Sequence, residues 1–312
     1  MIVKRNFSPF KVVPYVWVEL GATAGLATAA WYAHTRVGLT GVALPFGPLG
    51  VMGTALAIFL GFRNNNAYAR WWEARTLWSN VANNSRILAR QIVSAVENAR
   101  VAGKADAAVL DAYQRELVLR QVAFAHALRL HLRAQTEWEE LAPLLPADEL
   151  KRLRGAANRP NLLLLEQGNR LRHGVRAEVV GPFDPITLEP NLAALNQWQG
   201  GCERIKTTPL PHQYDFFTRV FLWGFLVLLP FSLLGLFEHP GSAWKSVPLS
   251  LGVAFVYAVV NKTAEVLETP FENGINDVPM TAITRAIERD LREMLGEGTL
   301  PPELHPEGGY LY

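Results

Sequence analysis

The residues that invite a chemical reading sit at the end of one apolar run. Thr54, Ile58 and Phe62 recur every fourth position, so on a helix they share one face. Gly53, Ala57 and Gly61 form a second row one position earlier, the small-xxx-small spacing that lets membrane helices approach closely. Directly after Phe62 the chain turns polar, with Arg63, Asn64, Asn65 and Asn66, and then Arg70, Trp71, Trp72, Glu73 and Arg75. Ile58 and Phe62 carry no polar atom, and the two rows leave a pore-lining helix open as one reading. Polar residues this dense at the end of an apolar run imply a water-filled mouth or buried partners, and paired tryptophans suit a membrane–water boundary. The blander alternative has one row packing inside a monomer, the other meeting lipid, and the tryptophans serving as interfacial anchors.

Catalytic chemistry is missing by comparison. The sequence holds no nucleophile elbow, phosphate loop, dinucleotide fingerprint or zinc spacing. His126 and His131 lie five apart, off the shared face that i,i+4 ligands need, and read as structural. Gly200-Gly201 reads as a turn or helix end. One cysteine, Cys202, excludes an internal disulfide. The expectation is a protein that is not an enzyme, with no catalytic residue, no metal and no cofactor.

The elements that must carry these rows follow from how charge is distributed. The chain has 312 residues, 50% hydrophobic and 19% charged, with a net charge of +2. That balance excludes a disordered chain and a strongly basic nucleic-acid binder. Residues 37–62 and 220–237 contain no Asp, Glu, Lys or Arg, whereas residues 63–212 hold 20 of the 30 Lys and Arg. A helix rising about 1.5 Å per residue crosses a hydrocarbon core of about 30 Å in some 20 apolar residues. Spans are expected at residues 43–62 and 216–237, with two more at 12–33, apolar except for Glu19, and from 246 through 261 into the following helix. A cleaved signal peptide competes for the first span, since Lys4, Arg5 and Lys11 precede it, but the apolar stretch is too long for one.

Four spans put both termini on one side, and the residues at span ends (Lys11, Arg63, Arg70, Arg75) make that side cytoplasmic. Between them, residues 67–100 and 105–140 lack Pro and Gly, and Leu110, Tyr113, Leu117, Phe124 and Leu128 recur at helical spacing. Breaks are expected at residues 143–146 and 155–160, an ordered loop at 177–190, and a loose tail at 301–312. The predicted organisation is an N-terminal segment with two spans (1–62), a helical cytoplasmic region (63–206), two further spans (207–262) and a C-terminal cytoplasmic helix and tail (263–312). The fold class is an all-α membrane protein.

Four stretches carry a family resemblance. FLGFRNNNAYARWWEARTLW at residues 59–78 resembles the signature of the bestrophin family, its bacterial branch in particular. GGCERIKTTPLP at 200–211 resembles the approach to the third span, and FENGINDVPMTAITRAIERDLREMLGE at 271–297 the segment after the fourth. Asp184-Pro185-Ile186, with Ile186 sixteen residues before Cys202, resembles the cytosolic constriction motif.

The resemblance implies a homopentameric ion channel of the bacterial inner membrane, with four transmembrane helices per subunit around one central pore. Its neck rings would fall on Thr54, Ile58 and Phe62, with Thr54 standing where the family commonly has a bulky apolar residue. Its cytosolic aperture would be Ile186, in the first turn of a helix that Asp184 caps and Pro185 begins. Arg63, Asn64, Arg70, Trp71 and Trp72 would lie at the pore mouth or an interface. Animal bestrophins are calcium-activated anion channels and bacterial relatives favour monovalent cations; the resemblance leans this chain to cations, while Arg63 opposes that if it faces the axis. The animal calcium clasp maps onto Glu272, Asn273, Gly274, Ile275, Asn276 and Asp277, where only two carboxylates remain. Calcium takes six to eight oxygens, so the clasp reads as vestigial, and Asn276 and Asp277 as a capped turn. Two other classes stay open: a non-conducting membrane scaffold, and a secondary transporter built on Glu19, the one carboxylate within a span.

Overall fold

The computed structural model of the chain describes residues 1–3, 13–237, 239 and 241–312. Lys4, Arg5, Lys11, Glu238 and the expected start of the first span at residue 12 lie outside them. Nine α-helices follow in order among the described residues: α1 Val13–Thr35, α2 Phe46–Val101, α3 Ala107–Leu132, α4 Ala147–Gly155, α5 Arg159–Arg176, α6 Asp184–Thr207, α7 His212–Leu234, α8 Ser246–Glu268 and α9 Met280–Met294. No strand forms among them, only isolated bridges at Ile2, Glu307 and Tyr310. Among the described residues, three segments are long and apolar enough to cross a membrane: Thr40–Val101, His212–Leu234 and Ala243–Glu268. The 23-residue α1 is not among them, because Pro14, Glu19 and its Gly, Thr and Tyr residues dilute its apolar content.

The helices group into two units. One comprises the described residues of 4–70 and 209–269, the other residues 1–3, 71–208 and 270–312. Helix α2 supplies both, since residues 62–100 contain no Gly or Pro to end it, and the division falls eight residues beyond the expected boundary at residue 62. In the first unit Leu49, Leu56 and Leu60 of α2 bury against Leu222, Phe225, Leu226, Leu229 and Leu233 of α7 and Ala254 of α8. Helix α1 packs on α8 and α7. Helical periodicity therefore divides α2 cleanly: the 49, 53, 56, 60, 63, 67 stripe is buried and the faces beside it are not.

In the second unit α3 is the central helix, buried almost continuously from Leu117 to Leu130, and Leu110, Tyr113, Leu117, Phe124 and Leu128 are all in the core. It also buries ions. Arg120 grips both carboxylate oxygens of Glu149 on α4 at 2.8 and 2.7 Å, and Glu116 bridges Arg120 at 2.7 Å and Arg170 of α5 at 2.5 Å. His126 faces Glu288 of α9 at 3.3 Å, a structural place for that histidine.

Three local expectations change. Helix α3 ends at Leu132, and a short 3-10 turn covers Trp138–Leu141, so the Pro-free stretch to residue 140 is two elements. The loop expected over 177–190 ends at residue 183, because the helix opens at Asp184 and tolerates Pro190 in its second turn. The tail is not loose: Val3 donates to the Gly309 carbonyl, Leu311 to that of Met1 and Ala282 to that of Tyr312, at 2.8–2.9 Å. Backbone pairing pins a segment that its Pro and Gly content made look free.

Candidate functional site

Thr54, Ile58 and Phe62 stand one helical turn apart on α2, about 6 Å between successive levels. The described residues of their own unit leave them open: Ile58 is 56% and Phe62 60% exposed, and Thr54 is exposed too. The Thr54 hydroxyl donates to the Gly50 carbonyl at 3.0 Å, so the polar member of the row spends its proton inside its own helix. The small-residue row splits. Gly53 takes the close approach, with Phe225 packed so tightly that an added Cβ would meet its ring at 3.0 Å, and with the Tyr257 hydroxyl donating to the Gly53 carbonyl at 3.1 Å. Ala57 and Gly61 remain exposed.

Arg63 is not at an open mouth. It is 3% exposed, and its guanidinium fans across two helices. Nη1 donates to Asn261 Oδ1 at 2.7 Å, Nε to Glu268 Oε1 at 2.9 Å, and Nη2 pairs with Asp215 Oδ1 at 2.5 Å. Asp215 also holds Arg219 at 2.7 Å. One position on, Asn64 Nδ2 donates to the carbonyls of Leu60 and Val260, each at 2.9 Å. Arg70 Nε donates to the backbone carbonyl of Glu268 at 2.8 Å, capping the last turn of α8. The reason is energetic: a cation one residue past an apolar run cannot stay unpaired in a low-dielectric setting. Asp215 and Glu268 supply the counter-charge. Asn64 and Arg70 thus bind α2 to α8 within the unit.

In the second unit, Trp71 uses its indole N–H on the Asn276 carbonyl at 2.8 Å, while Trp72 stays exposed and tilts against it at 6.5 Å. Trp71 therefore docks the 271–277 segment. There Glu272 pairs with Lys206 at 2.5 Å, and Asn273 takes the left-handed conformation, φ 68°, that Asn tolerates. Asp277 is buried. Burial pushes its carboxyl up from the ordinary range, while backbone N–H groups of Gly274, Glu272 and Asn273 pull the other way. Among the described residues, no group of three or more His, Cys, Asp or Glu is placed to hold a metal ion.

Ile186 lies in the first turn of α6, and 70% of it is exposed. Asp184 is the first residue of that helix and not its cap; its carboxylate reaches back to accept the Gly181 N–H at 2.8 Å and fastens the turn before the helix. Phe183, the true cap position, is 76% exposed one turn before Ile186, an apolar neighbour that motif matching overlooked. The sequence reading also missed Asp215, Asn261 and Glu268. The signal for them was available: an arginine at a span end demands carboxylates at the same depth, and each of the two acids sits at the end of another apolar helix.

The comparisons with known proteins agree with this architecture. The profile described as Bacterial/Fungal Bestrophin protein matches residues 7–293. The voltage-dependent anion channel-forming protein YneE of Escherichia coli K12 is 33% identical over 280 residues, 90% of this chain and 85% of that one. A voltage-dependent anion channel-forming protein of Ralstonia nicotianae is 34% identical over 256 residues, covering 82% and 79%. The crystal structure of a bacterial bestrophin homologue from Klebsiella pneumoniae superposes with a TM-score of 0.80 at 29% identity, covering 91% of this chain and all of that one.

Proposed function

The chain belongs to the bacterial and fungal bestrophin family, and from that premise we propose that it is a passive ion channel: a homopentamer whose α2 helices line one pore. Thr54, Ile58 and Phe62 form its neck and Ile186 its aperture. The observation that carries this reading is the uncovered row on α2. In a membrane-capable unit whose other α2 stripe is fully packed, Ile58 and Phe62 are left for a second copy, for water or for lipid. The family premise favours copies around water. Rings of Ile58 and Phe62 gate by excluding water, and they carry no charge, so they do not choose the sign of the ion.

The conducted species are monovalent ions. The cation lean keeps its footing because Arg63 is neutralised inside its own unit and adds no positive charge to the path. The names of the relatives, voltage-dependent anion channel-forming proteins, favour anions as the second reading. Calcium does not switch the channel: the 271–277 segment brings only two carboxylates, Glu272 is paired with Lys206, the Asn276 carbonyl accepts from Trp71, and chelation leaves the current unchanged. The protein lies in the inner membrane with α1 as its fourth span and both termini cytoplasmic. A scaffold would pull down a partner and pass no current. A transporter built on Glu19 would lose exchange kinetics in Glu19→Gln.

Bilayer recording of the purified protein under asymmetric KCl tests the reading. Passive current supports it, and the reversal potential names the ion. Native mass measurement of five subunits supports the assembly; no current from a pentamer contradicts the channel.

A further inference from the structure

Arg63 follows Phe62 directly, about 100° round the helix, so one face of α2 presents an uncovered ring while the next holds a buried cation. Four charges meet there: Arg63 and Arg219 against Asp215 and Glu268, with Asn261 as the neutral fifth member. Their sum is zero. Beside these four, Arg70 donates to the Glu268 backbone carbonyl at 2.8 Å, and on α8 Lys262 pairs with Glu265 at 2.9 Å. Arg63 is the only member of the four that touches both carboxylates, and it is the most buried; Asp215 and Glu268 are about a quarter and a fifth exposed.

We infer that Arg63 is a positioning and charge-compensating residue of the neck. It fixes the level of α2 that carries Phe62 against α7 and α8, and it silences two carboxylates that would otherwise present negative charge beside the permeation path. This inference rests on the neck reading above and adds what sets the charge at its end. The geometry requires arginine: three acceptors on two helices are met by a planar fork, which a lysine ammonium cannot span. Removing the guanidinium makes the charge of each subunit here more negative by one, and removing the Glu268 carboxylate makes it more positive by one. In a site poorly screened by water, such a charge acts on a passing ion strongly.

The test is a charge cycle in reconstituted bilayers under asymmetric KCl, using Arg63→Gln, Glu268→Gln, the double variant and Arg63→Lys. Arg63→Gln shifts the permeability ratio toward potassium and Glu268→Gln toward chloride, each by about threefold or more, and the double variant returns close to the parent. Arg63→Lys keeps the parent's selectivity while altering conductance, because it keeps the charge and loses the fork. A merely structural role would move both single variants in the same direction or leave selectivity untouched, and either result overturns the inference. If Arg63→Gln fails to assemble, Glu268→Gln decides: an unshifted ratio in that variant overturns it. A parent protein that assembles and passes no current sinks the channel reading itself.

Discussion

Phe62 and Arg63 are bonded neighbours on α2, yet Phe62 is 60% exposed and Arg63 only 3%. A single step of helical rotation separates a side chain that the described residues leave largely open from one with three polar partners. Packing and electrostatics explain both. The buried stripe of α2 meets α7 and α8 through Leu49, Leu56 and Leu60, and Arg63 continues that stripe where Asp215 and Glu268 stand ready to neutralise it. Phe62 falls outside the stripe together with Ile58 and Thr54. Among the described residues, α2 of this unit is thus packed along one stripe.

Truncating the uncovered row separates gating from stability. On the proposed neck reading, Ile58→Ala and Phe62→Ala each widen and wet the ring, so single-channel conductance or open probability rises. Both residues are more than half exposed among the described residues, so the fold of the single subunit loses no more than about 0.5 kcal/mol. Planar bilayer recording and a melting curve on the same preparation check both halves.

Gly53 and Gly61 share a spacing but not a fate. A Cβ at position 53 would meet Phe225 at 3.0 Å and the Tyr257 hydroxyl at 3.4 Å, whereas none of the described residues comes within 4 Å of one at position 61. Gly53→Val is expected to destabilise by about 1–3 kcal/mol through overpacking. Gly61→Ala leaves the folding of the subunit unchanged. Thermal melts of the two variants compare them directly.

Much of this was legible in the sequence, for identifiable reasons. Charge-free stretches exposed the long apolar helices, and the 3.6 period of Leu110, Tyr113, Leu117, Phe124 and Leu128 exposed the core of α3. The Thr54, Ile58, Phe62 row was visible from spacing alone. What was hidden depended on partners remote in sequence. Arg63 lies about 200 residues from Asn261 and Glu268, and no local pattern tells a mouth arginine from a buried one. The same limit applies to the tail, whose order comes from pairing with residues 1–3. Asp184 was misread by one position because its carboxylate caps backward, onto Gly181, instead of forward into α6.

The buried pair Arg120–Glu149 anchors α4 to α3 with two short hydrogen bonds. Glu149→Gln leaves Glu116 alone to neutralise both Arg120 and Arg170, one buried positive charge in excess. The expected cost is about 3–5 kcal/mol, read as a large fall in melting temperature or loss of folded protein. Arg120→Met with Glu149→Leu, which removes both charges, recovers most of that loss.

Two carboxylates give the second unit opposite responses to pH. Burial holds Asp277 above its ordinary range, so the stability this site permits is complete below that range and is lost as pH rises through the raised value. Burial also pushes Glu288 up, but His126, Arg292 and Arg285 outweigh it and hold the group below its ordinary range. Glu288 therefore contributes above that range and loses its contribution as pH falls through the lowered value. Melting curves from about pH 3 to pH 7 should show Asp277→Asn flattening the upper side of the profile and Glu288→Gln the lower side.

Cys202 is the only cysteine, it is buried, and burial pushes its thiol pKa well up, so the parent chain is unreactive toward aqueous thiol reagents and serves as its own background. Into that background Phe62→Cys and Ile58→Cys place a thiol on the uncovered face of α2. The decisive measurement is current through these variants before and after a charged, membrane-impermeant methanethiosulfonate reagent. Rapid, irreversible change of the current at both positions is the predicted result. Full reactivity toward a lipid-soluble maleimide, with no response to the charged reagent from either side, would contradict it and place the row against lipid.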